Sequence, residues 1–419
     1  MLHTFNSNYL IVNLSLQYQL QKTPLFVMKK IILSTLVLLL SAHLSFAKSF
    51  LIHNEQEFKM ANETAQPGDV IKIANGTYAP WAVTLSANGT QIKPITLTAE
   101  TEGKVIFTGD VKQTLIKVAG NHTILSGISF TGCILSKEDG KTGMLINLDN
   151  TQHAQIENCY FEKNRGLVQF MGLIIVSGTG QHNQIDHCTF NGNIDELDIQ
   201  VKITKTADCP LYTIISNNTF KNKDKVSWKI FNGGECVQVG QDPVLLGTMS
   251  PKTLVRNNRF IRCNGEGEVI SNKSSDNKYI KNYFENCDGE LVMRGGHDCL
   301  IDSNTIKGGD SGIRINGTGH TVTHNTITDV KTGIRLMYGM AKGKNEIGFY
   351  IAPNQCTIKN NSISNANTGI LVGDNKNQDW TGKFDTTRYP SRVMQDVAPA
   401  NNQIENNQFV NVKNNVVYQ

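Results

Sequence analysis

The chain has 419 residues, 40 of them basic and 36 acidic, for a formal charge of +4. That near-balance excludes a generic polyanion binder, so nucleic acid is not an expected partner and any anion recognition has to be local. Nine cysteines, an odd number, leave at least one thiol unpaired, and no Cys-x-x-Cys or Cys/His zinc spacing occurs.

Residues 1–27 carry no fold signal. Met28-Lys29-Lys30, the apolar run Ile31–Leu44 and the closing Ser45-Phe46-Ala47 form a basic head, a hydrophobic stretch and a small-x-small cleavage site. They predict a Sec signal peptide over Met28–Ala47, and hence export to the bacterial periplasm or beyond. The run is too short to span a bilayer comfortably, so stable membrane insertion is not expected. Lys48 rather than a cysteine directly follows Ala47, which argues against a lipoprotein. Residues 1–27 read as a dispensable upstream segment. Loss of Lys22, Lys29 and Lys30 with no acid lowers the charge from +4 to +1. Residues 48–419 are expected to form a single domain and a monomer.

Asn54–Ala65 (NEQEFKMANETA) reads as a short amphipathic helix, ended by Gln66-Pro67-Gly68-Asp69, with a first strand at Val70–Ile73. An open solenoid end exposes apolar side chains, so this helix is expected to cap it. Beyond it the phrase aliphatic-x-x-Asn-x-Phe/Ile recurs, ending at Phe161, Phe190, Phe220, Phe260, Phe284, Ile306, Ile327, Ile363 and Phe409. Two residues before each end stands Cys159, Cys188, Asn218, Asn258, Asn282, Asn304, Asn325, Asn361 or Asn407, which predicts an amide ladder between stacked coils. The period, the β-branched runs with period-2 alternation and the abundant Gly and Asn specify an all-β, right-handed parallel β-helix. Residues 374–400 leave the repeat and read as a loop or lid.

Counting forward from each terminal apolar residue, positions +7 and +9 are mostly apolar and point inward. Positions +6, +8 and +10 then point outward: Glu266/Glu268/Ile270, Glu290/Val292/Arg294, Gly312/Arg314/Asn316, Gly333/Arg335/Met337 and Gly369/Leu371/Gly373. One outward face thus carries acids on one coil and Arg294, Arg314 and Arg335 on the next three. An ordinary solvated face would mix the signs; here they are segregated and flanked by glycine. Glu266 and Glu268 repel each other unless a cation lies between them, and oxygen ligands of this kind suit calcium.

The stretches Asn232-Gly233-Gly234-Glu235, Gly265–Asn277 (GEGEVISNKSSDN), Leu291–Arg294 and Gly312–Ile315 resemble polysaccharide lyase family six, which contains alginate lyases and chondroitinase B. The resemblance runs from the capping helix to about Ile404. It implies Ca²⁺ at Asn232, Glu266 and Glu268, with Glu235 as a further ligand or a group behind the ligands. It also implies Lys273 as base and Arg294 as acid in β-elimination on a uronate polymer, giving 4,5-unsaturated ends. Family members commonly carry His directly after the Arg, whereas here Gly295-Gly296-His297 follows, so His297 fills that role from a shifted position or is a loop histidine. Arg314, Arg335, His297 and Tyr338 are the expected substrate-binding residues. The low charge and the lack of a basic extension favour alginate over dermatan sulfate. A glycan-binding adhesin would have no reason to place these groups on adjacent turns. A hydrolase needs an acid/base carboxylate pair rather than a metal site beside cations.

Overall fold

Short β-branched runs recurring every 20 to 40 residues become parallel strands, each bonded to the equivalent run one turn further on. The computed structural model describes residues 47–419, apart from 231, 242–246, 344–345 and 388–389; the expected signal peptide lies outside the described residues. From Lys48 onward the chain is one unit. Among the described residues, its strands form one sheet of 13, one of 23 that wraps a corner, and two small hairpins. This is the expected parallel β-helix. No helix among the described residues is long and apolar enough to cross a membrane.

The cap forms as its sequence dictates. The helix runs Glu55–Thr64, and Asn54 caps it by accepting from the Glu57 amide at 2.9 Å. Phe58 and Ala61 drop from it into the core. A strand the sequence reading missed, Ser49–Ile52, precedes the helix and pairs in parallel with Val70–Ile73.

Inside, like stacks on like. Phe161, Phe190, Phe220, Phe260 and Phe284 lie nearly parallel, with consecutive centroids 4.6–4.7 Å apart. The predicted amide ladder is continuous from Asn218 through Asn258, Asn282, Asn304, Asn325 and Asn361 to Asn407, each Nδ2 donating to the next Oδ1 at 2.9–3.0 Å. Each amide also bonds a strand-end carbonyl, as Asn258 does with Ile215 O, so buried polar groups are satisfied coil by coil. Cys188 continues the column, its backbone N–H donating to Asn218 Oδ1. All nine cysteines are free thiols.

Residues 374–400 contain a hairpin, Gln378–Asp379 with Met394–Gln395. It is tied to a second insert after Met337: Gly339 and Val397 exchange both backbone hydrogen bonds, at 2.8 and 3.0 Å.

Candidate active site

The strands Glu268–Asn272, Glu290–Met293, Ser311–Ile315 and Thr332–Met337 lie side by side and carry the outward face indexed from the sequence. Their inward column is Ile270, Leu291, Ile313 and Ile334, and the outward one is Ser271, Val292, Arg314 and Arg335. The index therefore slips on its first coil: Ile270, expected outward, faces inward. The cause is a bulge, because Glu268 pairs with Glu290 but Ile270 with Leu291, leaving Val269 as the extra residue.

That slip brings the chemistry together. Asn272 pairs with Met293, so Lys273 and Arg294 occupy the same outward position on consecutive coils, about 4.8 Å apart along the stack. Their amides bond the coil below in the same way, Lys273 N to Val239 O at 2.7 Å and Arg294 N to Asn272 O at 2.9 Å. Lys273 is only 8% exposed and its Nζ lies 3.5 Å from Glu235 Oε1. The same Oε1 accepts from Gln238 Nε2 at 2.7 Å, and Gln238 Oε1 accepts from Gln200 Nε2 at 2.6 Å. A line of buried amides thus fixes the carboxylate that faces the lysine.

Beside the lysine, carboxylate oxygens of Glu235, Glu266 and Glu268 all lie within 4.8 Å of one another, and all three residues are buried. Burial, with the facing charges of Glu235 and Glu268, raises the Glu266 carboxyl well above the usual range. Burial works the same way on Glu268 but is outweighed by Arg314, then Arg294 and Lys273, which hold it down to about 2. Oε2 of Glu235 and Oε2 of Glu268 are buried without a hydrogen-bond partner. Converging carboxylates with spare oxygens and no nitrogen or sulfur donor fit a hard divalent cation such as calcium. Asn232 adjoins them: Gly233 N–H donates to Glu266 Oε2 at 3.1 Å, and Asn232 O already accepts from Gln169, leaving its side chain as the available oxygen. Glu235, left open by the sequence, is a full member of the cluster.

The arginines do not form the free row the sequence suggests. Arg314 reaches back two coils to Glu268. Arg335 is held from both sides, its Nε donating to Glu290 Oε1 at 2.8 Å and its Nη1 to Asp374 Oδ2 at 2.6 Å. Arg294 instead packs under aromatic rings, its Cζ 5.0 Å from the Tyr350 centroid and 5.9 Å from that of Phe349. Its Nε is buried without a partner. Burial pulls against its charge, but Tyr350 and the three glutamates raise its pKa further above the ordinary arginine value.

His297 sits on the turn beyond the groove, its amide on Ser275 Oγ and its Nδ1 2.7 Å from Asp298 Oδ2. Tyr338 is buried at the root of the insert, its carbonyl accepting from Gln395 Nε2 at 2.7 Å and its ring lying under Lys376. The Tyr350 and Phe349 wall lies in an insert that breaks the repeat, so no periodicity points to it.

The family model described as chondroitinase B matches residues 52–419. Among solved structures, the chain is similar to the PL6 family alginate lyase AlyGC at 26% identity and a TM-score of 0.72, over 85% of this chain and 47% of that one. It therefore spans about half the length of that enzyme. A mannuronic acid specific family 6 lyase from human gut microbiota shares the fold at 24% identity and a TM-score of 0.69, over 88% of this chain and 82% of that one. The family 6 polysaccharide lyase Pedsa3628 from Pseudopedobacter saltans does so at 21% identity and a TM-score of 0.69, over 88% and 92%. No curated protein matches the chain. A match over nearly every coil, including those that carry Glu266, Lys273 and Arg294, places this chain in the chondroitinase B family, the polysaccharide lyases of family six.

Proposed function

We propose that this protein is an exported alginate lyase that cleaves by calcium-assisted β-elimination, with Lys273 as base and Arg294 at the leaving oxygen. The observation that carries the reading is the shared outward column of Lys273 and Arg294, set against three converging carboxylates. Glu235, Glu266 and Glu268, with the Asn232 side chain, would hold the cation. A bound divalent ion offsets the charge of the substrate carboxylate and so makes the neighbouring C5 proton easier to remove.

The chain's own residues do the rest. Lys273, as the neutral amine, takes the C5 proton, and Glu235 orients its Nζ. The C5–H electron pair becomes the C4–C5 double bond as the C4–O4 bond breaks. Arg294 lies on the O4 side, where its guanidinium stabilises the charge building on that oxygen; the proton that completes the leaving hydroxyl comes from the guanidinium or from water. Alginate is favoured by the likeness to AlyGC and by the near-neutral charge without a basic extension. Dermatan sulfate is the alternative substrate.

The test is ultraviolet absorbance of unsaturated product on alginate and on dermatan sulfate, with and without EGTA. A rise on alginate that EGTA removes and calcium restores is the expected result. No rise on either polymer would sink the lyase reading.

A further inference from the structure

Resting on the lyase reading, we infer that the groove is closed beyond Arg294 by two inserts, so that the enzyme trims its polymer from the non-reducing end.

Both inserts leave the groove sheet at its far end, after Met337 and after Asp374, on the second and third coils beyond Arg294. Much of the second insert is exposed, but aromatic side chains from both turn back toward Arg294. The first folds back: Gly317 N–H donates to Ile351 O at 2.8 Å, one coil past Arg294, and Tyr350 reaches the Arg294 guanidinium itself. The second braces it, with the Trp380 ring 5.4 Å from Tyr350 and Phe384 4.0 Å from Phe349. Trp380 Nε1 donates to Gln395 Oε1, and Gln395 in turn bonds Tyr338 O. Arg314 and Arg335, on the coils beneath, keep side-chain exposures of only 11% and 24% and are ion-paired. Neither arginine is free there to pair with a substrate carboxylate.

The other side of the site differs in its cations. The column that holds Arg294 and Lys273 continues down through Gly240 to Lys202, because Gln238 pairs with both Gln200 and Ser271. Gly240 has φ +85°, and a Cβ there would meet Lys273 O at 2.4 Å, so the column is bare between the two lysines. Lys202 lies about 10 Å from Lys273 along the stack, two coils away. Burial, then Lys137 nearby, lowers its pKa, and among the described residues no acid pairs with it. Lys137, on the hairpin beside it, sits opposite Thr142 and likewise has no acidic partner among the described residues. Gln200 and Gln238 lie buried beneath this side, and Lys202, partly exposed and without an acid partner among the described residues, is available for a substrate carboxylate.

The chemistry gives the direction. Lys273 acts at C5 of the sugar that becomes unsaturated, and Arg294 at the O4 that joins it to the preceding, non-reducing-side sugar. The wall at Arg294 therefore limits the non-reducing side, and the polymer runs from the site over Lys202 toward its reducing end.

The experiment follows early products from a uronate hexamer labelled at its reducing end, using the purified chain with calcium. The expected pattern is short unlabelled fragments with the label kept on the longest product, and an alginate solution whose viscosity falls slowly relative to product formed. Trp380→Ala with Phe384→Ala should add mid-length fragments, and Lys202→Ala should raise KM severalfold for the hexamer but not for a trimer. Early cleavage at mid-chain by the unaltered enzyme, or label on the short fragment, would overturn this inference while leaving the lyase reading intact. No cleavage at all would overturn both.

Discussion

The corner that carries the Asn ladder and the face that carries Lys273 are built on the same coils, yet they treat polar atoms in opposite ways. In the corner identical residues stack, and each Asn satisfies its neighbour and a carbonyl. On the face the stack is mixed, with Ser271, Val292 and Arg314 in one column, a bulge interrupts the register, and atoms are left over: Glu235 Oε2, Glu268 Oε2, Ser271 Oγ and Arg294 Nε. A solenoid gains stability by repeating itself, so a coil that stops repeating and buries unsatisfied charge gives up stability. The difference separates residues kept for the fold from residues kept for chemistry, and mutations should divide along it.

The largest effects belong to the face. Lys273→Ala and Arg294→Ala should each lower kcat by about 10²–10⁴-fold with an unchanged unfolding transition. The double variant should be little worse than either single one, since the two act as a unit. Turnover by Lys273→Ala near that of the unaltered protein would move the base elsewhere, to Tyr338 or His297. Next in size is the cation: EGTA should abolish turnover reversibly, and Glu266→Gln should remove calcium binding by calorimetry while the protein stays folded. Full activity in a metal-stripped sample would take the metal out of the mechanism.

The corner should respond in reverse. Asn282→Ala leaves the amides and carbonyls above and below it unpaired, at about 1–3 kcal/mol for each buried group stranded. The melting temperature should fall while kcat per folded molecule holds. A catalytic defect with an unchanged melting temperature would erase the distinction between the two regions.

How much the sequence revealed follows the same divide. The ladder and the Phe stack were legible because identical residues return at a nearly fixed spacing, and Asn218 to Asn407 stack as that spacing requires. The cap helix was legible from its Asn54 start and its Pro67-Gly68 stop. Glu266, Glu268 and Arg294 could be indexed, but Ile270 could not, since one extra residue shifts the pleat and periodicity cannot register it. Gln238 and Tyr350 were out of reach for another reason, and Glu235 could be named but not placed: their contacts cross coils of unequal length, so sequence distance says nothing about them.

Arg314 tests whether outward position alone implies substrate binding. Its guanidinium holds Glu268, so Arg314→Ala removes a cation that competes for a calcium ligand. Calcium should bind severalfold more tightly by calorimetry, with KM nearly unchanged. A raised KM with unchanged calcium affinity would make the arginine a uronate contact and open the roofed end of the groove.

The smallest effect lies where the two regions meet. Lys223, on the strand of Phe220, is buried against Glu196 and Asp198 on the approach to the groove, with Nζ–oxygen distances of 2.6 and 3.3 Å. Burial, joined by the charges of Asp198 and Asp195 and opposed by Lys223, raises the Glu196 carboxyl to about 8. A carboxyl raised on folding holds its proton in the native state where the unfolded chain has released it. Stability therefore falls as pH rises from the ordinary value of 4.5 toward 8, and levels off above that. Glu196→Gln keeps the neutral form at every pH, so its melting temperature should lose that slope and exceed the unaltered protein's by a few degrees above pH 8. If the slope persists in Glu196→Gln, the titrating group is Asp198. If the variant is destabilised at every pH, Glu196 is the anion Lys223 requires, and the charged boundary belongs to the fold rather than to the face.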